Sequence, residues 1–257
     1  MCELEQALCK PPKAAMLLPA AQLQQAVLGV LNRESDLEQI LRRQYEQLES
    51  AWIRHRVHDA IAACVPLHKT FVDGSPETGM RLHSIHGSPV PIDFQKLADV
   101  LWHHMDLAWD PSRIALHDFH SSLKYLRHDM KLPDAMMPIL EVRSASRRYV
   151  EPGRVVFAWR SILEDPCFPH DEKNLIDARI GWSVVETKGF DQCYVSMYEI
   201  VPTPIFPDTV TSREPAVGTW TELLLQSSHE FSERFNAAFT PALRAVSTSK
   251  KPTVQLF

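Results

Sequence analysis

Two compact turns set between β-forming runs constrain this chain more than any other feature. Residues 142–150 read as a strand, Glu151-Pro152-Gly153 turns, and residues 154–163 return with Val-Val-Phe-Ala-Trp at their centre. The arrangement recurs with residues 178–187, a turn at Lys188-Gly189, and residues 193–201, closed by Pro202, Pro204 and Pro207. Apolar runs joined by short Gly-bearing turns are β-hairpins, and proline does not continue a central strand. Residues 139–201 are therefore predicted to form two antiparallel hairpins in one sheet.

A long amphipathic helix follows. Thr219-x-x-Glu222 is a capping box, and Trp220, Leu224, Phe231, Phe235 and Phe239 recur at spacings of four and seven. A sheet followed by such a helix buries both apolar faces by curling around it. The predicted class is α+β: a curved antiparallel sheet wrapped around a long C-terminal helix, with a cavity expected where the two layers do not fill each other.

Upstream, residues 21–64 carry a helical pattern. Ser35-x-x-Glu38 is a candidate capping box, and Leu41, Tyr45, Leu48 and Trp52 form one seam at spacings of four, three and four. The seam spans under two heptads. It suits either an amphipathic helix packed on the domain or a short coiled coil that dimerises or recruits a partner. Residues 73–79 read as a turn-rich link, which divides the chain into an N-terminal helical segment, 1–78, and a main domain, 79–250. Within the latter, Asp93 is placed to cap a helix with Phe94, Leu97, Leu101 and Trp102 on its apolar side.

Several function classes drop out. The net charge is -5, from 27 Lys and Arg against 32 Asp and Glu, so binding nucleic acid through overall positive charge is not expected. Eight glycines include no G-x-G, which removes the dinucleotide fingerprint and the kinase glycine loop. Gly74 to Gly79 has phosphate-loop spacing but lacks the following Lys and Ser/Thr. The five cysteines form no C-x-x-C and are scattered, as in a reducing compartment, so an intracellular, cytoplasmic or nuclear site is expected. No apolar run is long enough to span a bilayer. There is no G-x-S-x-G and no H-E-x-x-H. The pairs His83-x-x-His86 and His117-x-x-His120 lack a visible third ligand, so neither metal nor cofactor is expected.

The order of elements over residues 80–247 resembles the START-like, helix-grip superfamily. More narrowly, Arg147-Arg-Tyr-Val-Glu-Pro-Gly-Arg-Val-Val-Phe-Ala-Trp-Arg-Ser161 and Gly181-Trp-Ser-Val-Val185 are similar to stretches of oomycete START-like proteins, as is Val217-Gly-Thr-Trp-Thr-Glu-Leu223. Members of that family often carry a basic segment before a leucine-rich helix. Here residues 1–33 hold only Lys10, Lys13 and Arg33, which does not supply one. The resemblance implies a module that binds a hydrophobic small molecule or lipid and implies no established reaction.

Strand periodicity nominates the lining. Val155, Phe157, Trp159 and Ser161 share a face, as do Ile180, Trp182 and Val184. Phe157, Trp159 and Trp182 are the expected apolar wall, Phe231 and Phe235 the helix contribution, and Arg148 the polar anchor for a carboxylate, phosphate or headgroup. Three readings remain open: a hydrophobic-ligand module, a regulatory module recruiting a protein partner through its N-terminal helix, and a small cyclase or hydrolase on the same scaffold.

Overall fold

The computed structural model describes residues 26–75, 79–104, 114–132 and 137–206, together with helical positions 222, 223, 225, 226, 233, 237, 240, 241, 244 and 245. Three helices open it: α1 (Arg33–Glu46), α2 (Leu48–His55) and α3 (Val57–Ala63). Strands β1 (Leu67–Ser75) and β2 (Gly79–Val90) follow, then α4 (Phe94–His104). Next come β3 (Ile114–His120), β4 (Leu123–Met130), β5 (Leu140–Glu151), β6 (Arg154–Ser161), the short β7 (Leu175–Ile176), β8 (Ile180–Thr187) and β9 (Cys193–Pro202).

All of these strands join one sheet in the order β1-β2-β9-β8-β6-β5-β4-β3, with β7 parallel to β5. The two expected hairpins are β5–β6 and β8–β9, with Gly153 and Gly189 at positive φ in their turns. That conformation suits glycine, which has no Cβ to clash. Residues 67–75 depart from the sequence reading, which has no strand there. They pair along their whole length with β2 as an edge strand, because that register continues the sheet that β9 begins.

The sheet is covered on both sides, so β6 is buried on consecutive residues, Val155 to Ser161, instead of alternating. On one face α1 lays Leu37, Ile40 and Leu41 on Leu123, Tyr125 and Ala145. There α2 and α3 lay Leu48, Trp52, Val57 and Ile61 on Val156, Ala158, Trp182 and Tyr198. On the other face α4 presents Leu97, Leu101 and Trp102 to Val155, Phe157 and Val185. Leu223, at the start of the last helical positions, packs with Leu82, Val142 and Val201. Removing each such large side chain from water contributes about 1.5–3 kcal/mol.

Two local signals resolve differently. Asp93 caps α4 as expected, its Oδ1 accepting the backbone N–H of Gln95 and of Lys96, both at 3.1 Å. The box at Ser35 is not used: α1 begins two residues earlier, at Arg33. There a buried ion pair from Arg33 to Asp165, 2.6 Å, ties the helix start to the loop after β6, and Tyr125 donates to the same carboxylate at 2.8 Å. The expected seam is present: Leu41, Leu48 and Trp52 are buried and Tyr45 stacks on Tyr149, centroids 4.2 Å apart. It is spent on this chain's own sheet.

Candidate ligand-binding face

The face carrying α4 and Leu223 has apolar ends and a polar middle. Its end under α4 is Val155, Phe157, Val185 and Cys193; its end under Leu223 is Leu82, Leu140, Val142 and Val201. Between them the strand register aligns one row across five strands: Ser84 on β2, Glu199 on β9, Gly181 on β8, Trp159 on β6 and Ser146 on β5. Burying such groups costs free energy unless they are hydrogen-bonded, which marks the row as a place where this protein uses polarity deliberately.

Trp159 lies flat over Gly181. A Cβ at position 181 would stand 2.4 Å from the indole Cζ2, so only glycine admits the ring there. The indole N–H is directed at Glu199 and helps to hold its charge. It does not reach hydrogen-bonding geometry and has no partner among the described residues.

Behind the row stands a charged cluster. Arg179 Nε donates to both oxygens of Asp177, at 2.9 and 3.0 Å, and Ser161 Oγ donates to Asp177 Oδ2. The Arg179 guanidinium is 3.8 Å from Glu199. Burial works against its charge, yet Asp177 and Glu199 together hold its pKa above the ordinary value. For Glu199 the balance goes the other way. Burial pushes its carboxyl above the usual range, against the pull of Arg179 and with a further push from Asp177. Glu199 is thus a largely buried acid whose cation stands at the limit of pairing distance, beside an indole N–H that is directed at it but falls short of hydrogen-bonding geometry.

The expected wall residues are divided by the register. Phe157 and Trp159 belong to this face, and Ser161 with them. Trp182 does not. It pairs with Ala158, one residue out of phase with Phe157, so it projects from the opposite face, under α1 and α2. Its expected place beside Phe157 and Trp159 is corrected accordingly. Arg148 lies directly across from Phe157 on this face, but its guanidinium is already paired with Asp99 of α4 at 2.7 Å. Phe231 and Phe235 lie outside the described residues.

Glu199, Asp177 and Arg179 were not singled out from the sequence. A signal existed: Cys193, Val195, Met197 and Val201 make an apolar row on β9 that Glu199 interrupts. Nothing local links that residue to Arg179, which the β8–β9 pairing brings to it.

The histidines are separated in a similar way. In a strand, residues three apart face opposite sides, so His83 and His86 part. His83 joins Asp73, Tyr198 and His55 on the face under α2, with Nδ1 2.7 Å from the Tyr198 hydroxyl. The side chains of His117 and His120 lie outside the described residues. Among the described residues, no group of three or more His, Cys, Asp and Glu converges as a metal site. No helix of the described residues is long and apolar enough to cross a membrane.

The fold aligns with human StAR-related lipid transfer protein 5 over 81% of this chain and 98% of that one, with a TM-score of 0.54 and 9% sequence identity. Human STARD10 aligns over 77% and 87% of the two chains, with a TM-score of 0.45 and 10% identity. The Zhui aromatase/cyclase of Streptomyces sp. R1128 aligns over 67% and 99%, with a TM-score of 0.46 and 16% identity. No known family's sequence profile matches the chain, and no curated protein matches it in sequence. At such identities the likeness is one of architecture, and the first alignment carries it: the chain has the START-like helix-grip fold.

Proposed function

We propose that this protein is a non-enzymatic binding module that holds a hydrophobic or lipid ligand against the face described above. The observation that carries the reading is the pair Glu199 and Trp159, a largely buried acid whose cation stands 3.8 Å away and a buried indole donor with no partner among the described residues, set between apolar surfaces. A hydroxyl group answers both, donating to the carboxylate while accepting from the indole N–H. The favoured ligand is therefore an apolar molecule with a hydroxyl end. Its body lies on Trp159, backed by Phe157 beneath Trp102 of α4, with Phe231 and Phe235 proposed to close over it from the C-terminal helix. Arg148, held by Asp99, sits at the edge of that surface as a second polar contact for a ligand headgroup.

The shared architecture with a lipid transfer protein supports a ligand of this class. An interior location in the cell is proposed with it. Recruitment of a partner through the N-terminal seam has no comparable support, since Leu41, Leu48 and Trp52 are buried in this chain's own core.

Native mass spectrometry of the purified protein, with lipid extraction, tests the reading. Expected is a bound apolar species, displaced by a fluorescent long-chain alcohol. Glu199→Gln should weaken the alcohol more than its methyl ether, which cannot donate. Failure of every hydrophobic probe to bind the wild type overturns the proposal.

A further inference from the structure

The edge of the sheet carries a second polar arrangement, which meets the row of Glu199 at Ser84. His68 of β1 and His86 of β2 stand directly opposite each other in the register. Their rings are 4.5 Å apart, centre to centre, and their Nδ1 atoms 2.9 Å apart. The other nitrogen of His86, Nε2, is 2.7 Å from Ser84 Oγ, on the same face two residues earlier.

That bond admits the tautomer in which Nε2 carries the proton, as it admits the reverse with the Ser84 hydroxyl donating. With Nε2–H donating to Ser84, the Nδ1 of His86 keeps its lone pair and aims it at His68, an arrangement typical of imidazoles that bind metals. Metal–nitrogen bonds run about 2.0–2.1 Å. Two cis nitrogens of a square site then stand about 2.9 Å apart, and two nitrogens of a tetrahedral site about 3.3 Å apart. The observed separation fits the square geometry, which is diagnostic of copper(II) or nickel(II), and copper(II) binds more tightly of the two.

We propose that His68 and His86 form a two-imidazole chelate for copper(II), with solvent in the remaining positions. In the metal-free protein one Nδ1 carries a proton toward the other. On binding, His68 moves that proton to its Nε2 and the two rings tilt so that both Nδ1 lone pairs converge on the metal; no net proton is released.

Copper(II) iminodiacetate is the probe, because it leaves adjacent positions open for a cis pair, whereas an isolated histidine fills one. It is titrated into the full chain and followed by electron paramagnetic resonance. Expected is one chelate per chain held by two imidazole nitrogens. His68→Gln and His86→Gln should each weaken it at least about tenfold through loss of the chelate advantage, and His103→Gln should leave it unchanged. The nitrogen count is read on the wild type, so the result stands even where a variant folds poorly. A wild-type spectrum with a single imidazole, or equal binding by His68→Gln, His86→Gln and His103→Gln, overturns the proposal and leaves a hydrogen-bonded pair only.

Discussion

The indole N–H of Trp182, at the middle of β8, donates to the backbone carbonyl of Gln44 in the last turn of α1, at 2.7 Å. Carbonyls in a helix's last turn have no partner within the helix. This one accepts both the backbone N–H of Gln47, at 3.2 Å, and the indole from the sheet, at the break where α1 gives way to α2. Trp182 is also wedged edge-on against Trp52, centroids 6.4 Å apart, so one side chain sets both the position and the rotation of the helical layer.

Trp182→Phe should accordingly destabilise the protein by about 0.5–1.5 kcal/mol, through the lost indole hydrogen bond. Trp182→Ala should cost about 3–5 kcal/mol, because a cavity is added. Urea unfolding measures both. Ligand uptake by the folded Phe variant should match the wild type, since Trp182 faces away from the proposed binding face. A selective loss of uptake at unchanged stability would place Trp182 in the site after all.

Gly181→Ala drives a methyl group into the Trp159 indole, 2.4 Å from Cζ2. The ring must leave its bed on β8, at a cost of about 1–3 kcal/mol. Tryptophan fluorescence should report the displacement. Adding Trp159→Leu should recover much of the loss, since the shorter side chain no longer competes for the space. No recovery in the double variant would mean that the backbone, not the indole, opposes the methyl.

Glu199 predicts a dependence on pH just above the ordinary glutamate range. An unfolded glutamate ionises near 4.5, and burial raises that value in the folded state. Over the window just above 4.5 the native protein holds the extra proton, so stability falls as pH rises through it. Glu199→Gln removes the ionisation. Its stability relative to wild type should therefore increase across the window, as followed by thermal unfolding. A constant difference would show that Glu199 ionises normally.

His55 predicts the opposite slope. Burial, with the neighbouring His83 and then Arg54 and Lys69, pulls its pKa down from 6.5 to about 4. Its Nε2 lies 3.1 Å from the Tyr198 hydroxyl, which His83 also engages. Between about 6.5 and about 4 the unfolded chain takes up a proton that the folded protein refuses, so stability declines as pH falls through that window. The side chain is partly exposed, and solvent screening keeps the effect modest. Urea midpoints across the window should drop less for His55→Gln than for wild type.

Asp93, Gly153 and Gly189 show what could be read directly from the chain. A cap and two turns are local events, specified by residues within a few positions of one another, and so the α4 start and the hairpins β5–β6 and β8–β9 fall where their residue types dictate. The capping box at Ser35 is local too, but the buried pair between Arg33 and Asp165, 132 residues apart, starts the helix earlier.

The chain alone determined the hairpins, the sheet-then-helix order and hence the fold class, because period-2 and helical patterns and their turns are short-range properties. It also determined which side chains share a face within a strand. Which faces of different strands lie together was decided only by tertiary pairing. A shift of one residue turns every side chain over, and the register sets Trp159 over Gly181, Glu199 near Arg179 and His68 against His86, while it sends Trp182 to the far side. The proposed site is made of such cross-strand neighbours, brought together by hydrogen bonds between distant backbone segments that no local spacing records.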